Sequence, residues 1–157
     1  MSTRFIKSGC QKKNDEVVVL QANIDDQTGQ GLGFALEQIM KAGALDAYFS
    51  PIYMKKQRPA TEISVIAPVD QISKFENLIF KYTTTKGIRH CFFKRRVMTR
   101  TFRKVSILGD TVRMKVANYN KICKLTPEYE DCKRIAINNG LNLEEVMQMA
   151  EEKVNNE

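Results

Sequence analysis

The sequence predicts an α+β fold, a ferredoxin-like split βαβ core followed by an extended hairpin and two C-terminal helices. Apolar residues switch period along the first two thirds of the chain in the order strand, helix, strand, strand, helix, strand, which is the order of a split βαβ unit. Glycine or proline punctuates several of those switches. The last third passes from alternating apolar residues to helical spacing. With 157 residues and a 43% apolar share, the chain is long enough to bury a core without staples. Residues 1–14 read as a flexible leader and 15–157 as a single α+β domain, with the ferredoxin-like core at about 17–100 and the hairpin and helical extension at about 101–157.

Val17, Val18, Val19 and Leu20 form a short β-branched and aliphatic run, the pattern of a central strand covered on both faces. It ends in the polar stretch Asn23-Ile24-Asp25-Asp26-Gln27-Thr28-Gly29. From Gly31 onward, Leu32, Ala35, Leu36, Ile39 and Met40 recur at three and four positions and make one buried helical stripe, which Gly43 stops. Leu45, Ala47 and Phe49 return to period two, and Pro51 marks an edge or a departure from the sheet. A loop with Lys55, Lys56, Arg58 and Pro59 leads to a strand through Ile63, Val65 and Ala67, closed by Pro68. Ile72, Phe75, Ile79 and Tyr82 are again helical, and Ile88 opens a long, extended, basic stretch.

Each crossover helix has a single apolar stripe, so both are expected on the same side of the sheet. The opposite face then needs a cover, from the remaining chain or from another subunit. Val105, Ile107, Val112, Met114 and Val116 predict a hairpin turning through Gly109-Asp110. Thr126 and Pro127 read as the cap and first residue of a helix, with Glu128, Glu130 and Asp131 near its first turn and Gly140 at its end. Asn142 and Glu145 have capping-box spacing for a last helix striped by Val146, Met149, Ala150 and Val154.

No apolar run reaches bilayer length and no signal-peptide segment opens the chain, so a cytoplasmic protein without membrane contact is expected. Cys10, Cys91, Cys123 and Cys132 form no CxxC pair and have no zinc-site spacing, so they read as reduced, buried thiols. His90, the single histidine, supports neither a histidine-rich metal site nor a Ser-His-Asp triad. The net charge of +7 attracts anions without distinguishing among them. Its distribution says more. Arg89, Lys94, Arg95, Arg96, Arg100, Arg103 and Lys104 cluster centrally, while Glu144, Glu145, Glu151 and Glu152 make the tail acidic, which places an anion-binding surface on the central strands.

Four groups of residues could carry chemistry. Asp25 and Asp26, in a turn, suit magnesium or manganese when a nucleotide phosphate supplies further ligands, and the N–H groups of Thr28-Gly29-Gln30-Gly31 favour an anion. The alternative is that Asp25, Asp26 or Thr28 only caps the helix. Lys55, Lys56 and Arg58 would have their mutual repulsion relieved by a phosphate, or they form a solvated basic loop. Arg89, Arg96 and Arg100 could follow a phosphate backbone, with Phe92, Phe93 and Phe102 as stacking platforms or core residues. Tyr129, Glu130 and Asp131 could complete a pocket, or Tyr129 packs while the acids face water at a helix start.

Together the blocks Asn23 to Gly33, Ala42 to Asp46, Pro51 to Pro59, Thr83 to Arg89, the Arg96 and Arg100 pair, Val112 to Ala117 and Pro127 to Cys132 closely resemble the C-terminal part of the nickel insertion protein of the LarC family. The resemblance runs from about residue 17 to the last helix. It implies an enzyme, a CTP-dependent nickel chelatase, that inserts nickel into pyridinium-3,5-bisthiocarboxylic acid mononucleotide and so completes the nickel-pincer nucleotide cofactor of lactate racemase. The C-terminal domain of that family is associated with CTP and manganese or magnesium, and nickel is a substrate. None of this follows from periodicity or charge.

Carried over by the resemblance, Asp25 and Asp26 are the leading candidates for organising the divalent ion or the nucleotide, and are the expected metal ligands. Lys55, Lys56 and Arg58 neutralise phosphates, and Arg89, Arg96 and Arg100 add contacts. No acid, base or nucleophile is assigned. The N-terminal part of the family protein, histidine-rich in many members, is the expected partner, together with the nucleotide precursor and further copies of the chain. A ferredoxin-like regulatory or oligomeric assembly module and a basic nucleic-acid-binding domain are the alternatives.

Overall fold

The computed structural model describes residues 15–155. The expected leader at 1–14, with Cys10, lies outside them. The chain divides into two compact units, one ending at Arg96 and one beginning at Val97. Among the described residues no helix is long and apolar enough to cross a membrane.

The first unit contains β1 (Asp15–Ile24), α1 (Gly29–Lys41), β2 (Asp46–Met54), β3 (Arg58–Pro68), α2 (Ile72–Tyr82) and β4 (Arg89–Arg95). Its four strands form an antiparallel sheet in the order β2-β3-β1-β4, consistent with the expected split βαβ topology. Successive side chains on a strand point to opposite faces. Val18, Leu20, Ala22 and Ile24 of β1 and Ile63, Val65 and Ala67 of β3 are therefore buried together, against Leu32 and Ile39 of α1 and Phe75 and Ile79 of α2. One core takes both helices, so both lie on one side of the sheet. Burying each such large side chain contributes on the order of 1.5–3 kcal/mol.

The expectation that β1 is covered on both faces is corrected. Val19, Gln21 and Asn23, on the face away from the helices, are only half-buried, because both crossover helices went to the other side. Pro51 does not end β2, which continues to Met54. Among the described strands it lies at the sheet edge, paired with β3 alone, and an edge tolerates the missing N–H. The basic loop is also shorter than expected. Lys55–Gln57 alone make the turn, while Arg58 and Pro59 already pair with Met54 and Tyr53. Lys56 and Gln57 close the turn with φ of 63° and 56°, in the left-handed region that L side chains disfavour.

The second unit contains β5 (Thr99–Ile107), β6 (Asp110–Tyr119), β7 (Ile122–Pro127), α3 (Tyr129–Asn139) and α4 (Leu143–Asn155). β5 and β6 form the expected hairpin, but its turn is Leu108-Gly109, since Ile107 pairs with Asp110. Both turn residues have positive φ, 51° and 81°, matching the twist of the flanking strands.

Thr126 and Pro127 do not start a helix. They belong to β7, opposite Lys115 and Met114, and α3 begins only after Glu128. Pairing with β6 wins over the local cap signal because it packs Leu125 on the core, buries Pro127 and extends the ladder through Glu128 N–H to the Arg113 carbonyl at 2.8 Å. The expected hairpin is thus a three-stranded antiparallel sheet. Gly140, left-handed at φ 64°, ends α3 as expected. Asn142 N–H donates to Glu145 Oε2 at 3.0 Å, one half of the expected capping box. Val146, Ala150 and Val154 pack against Cys132 and Ile135, whereas Met149 faces outward.

Candidate functional site

The polar turn begins where β1 stops at the buried Ile24 and ends where Thr28 starts α1. Thr28 Oγ1 accepts from Gly31 N–H at 3.2 Å and is the N-cap, so neither aspartate has that task. Asp25 accepts from Arg58 NH1 at 3.4 Å, and Asp26 accepts from the Thr84 hydroxyl. The two carboxylates are therefore engaged by different elements. Gln27 is engaged on the Asp26 side: its amide donates to the Tyr82 carbonyl at 2.9 Å and accepts from Thr84 N–H at 3.1 Å. These bonds join the start of α1 to the loop after α2.

Beneath the turn, the side chains of Gln21 and Asn23 project onto the face without helices. Arg89 of β4 and Ser64 of β3 stand opposite Gln21, and Glu62 stands opposite Asn23. Arg89 donates from Nε to Gln21 Oε1 at 3.3 Å, from both terminal nitrogens to Asn23 Oδ1 at 3.1 Å, and from NH2 to Glu62. Gln21 Nε2 in turn donates to Glu62 Oε1 at 3.0 Å and to Ser64 Oγ at 3.1 Å. Sequence reading missed Gln21, Glu62 and Ser64, and named Gln27 and Thr84 only as members of longer blocks with no role of their own. A signal existed for two of them, because Glu62 and Ser64 alternate with Ile63 and Val65, putting polar groups on a central strand opposite its core face.

Of the expected anion-binding residues, Lys55 and Lys56 are exposed on the turn next to Arg58. Arg89 lies in the network just described. Arg96 ends the first unit and Arg100 lies on β5 of the second. Phe92, Phe93 and Phe102 are more than half exposed, so none is a core residue. His90 faces Glu76 at 3.6 Å and meets Phe92 edge-on.

The expectation of buried thiols holds for Cys132 but is corrected for Cys91 and Cys123, which are exposed on strands. Burial, reinforced by the nearby charges of Asp131 and Glu151, pushes the Cys132 thiol up and keeps it protonated. Asp131 does not face water. It accepts from Arg113 backbone N–H at 3.0 Å and from its guanidinium at 2.8 and 3.2 Å, and this hydrogen bonding holds the carboxyl below its usual range while raising Arg113.

No group of three or more His, Cys, Asp or Glu that could hold a metal ion occurs among the described residues. The turn is therefore not an all-protein cage. One or two carboxylates beside basic side chains do fit a hard cation that shares its shell with phosphate oxygens, as magnesium commonly does.

Residues 3–147 match the family described as nickel insertion protein. A pyridinium-3,5-bisthiocarboxylic acid mononucleotide nickel insertion protein from Lactiplantibacillus plantarum is 44% identical over 122 residues, 78% of this chain and 29% of its own length. One from Alkaliphilus metalliredigens is 44% identical over 131 residues, 83% of this chain and 31% of its own. The chain spans about a third of the length of the curated relatives it matches. Among solved structures, the apo form of LarC2, the C-terminal domain of a cyclometallase involved in the synthesis of the NPN cofactor of lactate racemase, superposes with TM-score 0.86 at 41% identity, covering 90% of this chain and 98% of that one. A protein from Methanopyrus kandleri, at 21% identity and TM-score 0.63 over 85% of this chain and 82% of its own, shares the fold alone.

Proposed function

Because the chain belongs to the nickel insertion protein family, we propose that it is the CTP- and divalent-cation-binding C-terminal part of an enzyme that inserts nickel into pyridinium-3,5-bisthiocarboxylic acid mononucleotide. The observation that carries the reading is the Asp25–Arg58 pair at the end of β1, 3.4 Å apart and beside the exposed Lys55-Lys56 turn. A carboxylate and a guanidinium in one place supply a cation ligand and a phosphate ligand, and each can exchange its present partner for the opposite charge of a metal–nucleotide complex. Asp25 would hold manganese or magnesium, with Asp26 as a second oxygen donor, and Arg58, Lys55 and Lys56 would meet the phosphates. A cation held by these carboxylates would supply charge neutralisation for the phosphates. Arg96 and Arg100 are candidates for further anion contact.

Nickel is a substrate in this scheme, and the N-terminal part of the same family protein is proposed as the partner needed for insertion, in the cytoplasm. The first unit is proposed as a ferredoxin-like core. Its helix-free face leaves Tyr48 and Phe93 about half exposed, which supports self-association of the chain.

Calorimetry with CTP, ATP and GTP, with and without manganese, tests the nucleotide reading. Binding of CTP that requires manganese and exceeds that of the purine nucleotides is expected; equal binding of all three, or none by a folded sample, removes it.

A further inference from the structure

We propose that Glu62 and Arg89 form a clamp that positions the Asn23–Asp25 segment, so that Arg89 serves the cation site through Asn23 and does not touch phosphate; this rests on reading the turn as that site. An arginine has five N–H donors in a fixed fork. Arg89 commits four of them within the chain, one to Gln21, two to Asn23 and one to Glu62. Its charge is answered by a carboxylate whose side chain is only 17% exposed and which also accepts from Gln21 and, at 3.4 Å, from the fully buried Ser64. Separating that pair would leave Glu62 poorly solvated with its strongest donor gone, so a diffusing phosphate competes badly for Arg89.

Arg58 is the contrast. Among the described residues it pairs with Asp25 alone, at 3.4 Å, so it can turn toward an anion at small cost. The clamp's position explains what it does instead. Arg89 comes from β4 and Glu62 from β3, and they meet across β1 at Asn23, two residues before Asp25. Arg89 bonds the Asn23 side chain directly, and Glu62 holds Arg89 in place, so the two neighbouring strands together position the segment that leads to Asp25. Holding a ligand-bearing segment through such outer partners typically changes metal affinity about 10–100-fold.

Direct contact and clamp predict opposite signs for Glu62→Gln. If Arg89 bound phosphate, removing its carboxylate partner would free it and tighten nucleotide binding. If the clamp positions the turn, the same change loosens Asn23 and weakens binding. The experiment measures CTP binding at several manganese concentrations for the wild-type chain, Glu62→Gln, Arg89→Lys and the double variant, together with hydrogen exchange of the ligand-free proteins.

The expected result is an about tenfold loss of manganese-dependent affinity in each single variant, no further loss in the double variant, and faster exchange confined to the amides of residues 25–28. Core amides such as those of Leu20 and Val65 keep their protection. Tighter binding by Glu62→Gln, or wild-type affinity in Arg89→Lys, overturns the clamp. Should the wild-type chain bind no CTP, the functional reading fails separately, and unchanged exchange at residues 25–28 in both single variants would still overturn the clamp.

Discussion

The two units of this chain both carry ion pairs, but they use them differently. In the second unit, Arg113–Asp131 at 2.8 Å, Lys115–Glu128 at 2.9 Å and Arg134–Asp110 at 2.8 Å fasten α3 and its approach to β6 and the β5–β6 turn. Their charges are answered within the unit. The first unit also holds close pairs, Arg89–Glu62 and, at 2.9 Å, Arg95–Asp15, but its Asp25–Arg58 pair is longer, at 3.4 Å, and Lys55 and Lys56 beside it have no ion-pair partner among the described residues. A net charge of +7 therefore does not locate a site. The proposed site rests instead on incomplete pairing at a strand end, because groups already saturated by good hydrogen bonds have little left to give a ligand.

The largest expected effect that sharpens this comparison is on binding. Asp25→Asn should weaken manganese-dependent CTP binding about 10–100-fold, as loss of a charged contact does, while changing stability by no more than about 1 kcal/mol, the worth of an exposed pair. Asp131→Asn should do the reverse, lowering the midpoint of urea unfolding while leaving affinity alone. Calorimetry and urea titration of both variants would collapse the distinction if the two behaved alike.

Smaller, and specific to the second unit, is a pH effect. The Asp131 carboxyl is held below its usual range by Arg113, so the folded state favours its ionised form. Its stabilising contribution is complete above the unfolded-state value, about pH 4, and is lost as pH falls through the lower folded value. The stability gap between wild type and Asp131→Asn should shrink on acidification over that window, as read from unfolding midpoints at stepped pH. A gap that widened instead would mean that the carboxyl is not stabilised in its charged form.

The smallest effect concerns the turn itself. Thr28→Ala should cost about 1 kcal/mol through loss of the α1 cap, whereas Asp26→Ala should leave the cap intact. Unfolding measurements on both would place capping back on the aspartate if the order were reversed.

Much of the first unit was legible in the chain. The alternation through Ile63, Val65 and Ala67 and the helical spacing of Phe75 and Ile79 identify the core face, because burial selects apolar residues at the period of each element. The turn at Asp25 and the basic residues at 55–58 were legible too, as blocks. The second unit was read less well. Thr126-Pro127 looks like a helix start, and only the partner strand, whose Met114 and Lys115 sit opposite, turns it into β7.

Sequence by itself determined most of the side chains buried in the first unit's core, Met40 and Leu45 being exposed instead, where most helices stop, and that polar groups gather where β1 gives way to α1, since these depend on local period and backbone preference. Tertiary structure alone decided which of the charged residues meet. Arg89 reaches Asn23 across 66 positions and Glu62 across 27, while Thr84 reaches Asp26 across 58. Strand register and sheet order set those meetings, and no local pattern encodes them, because a side chain's partner across a sheet depends on which strands the whole chain places side by side.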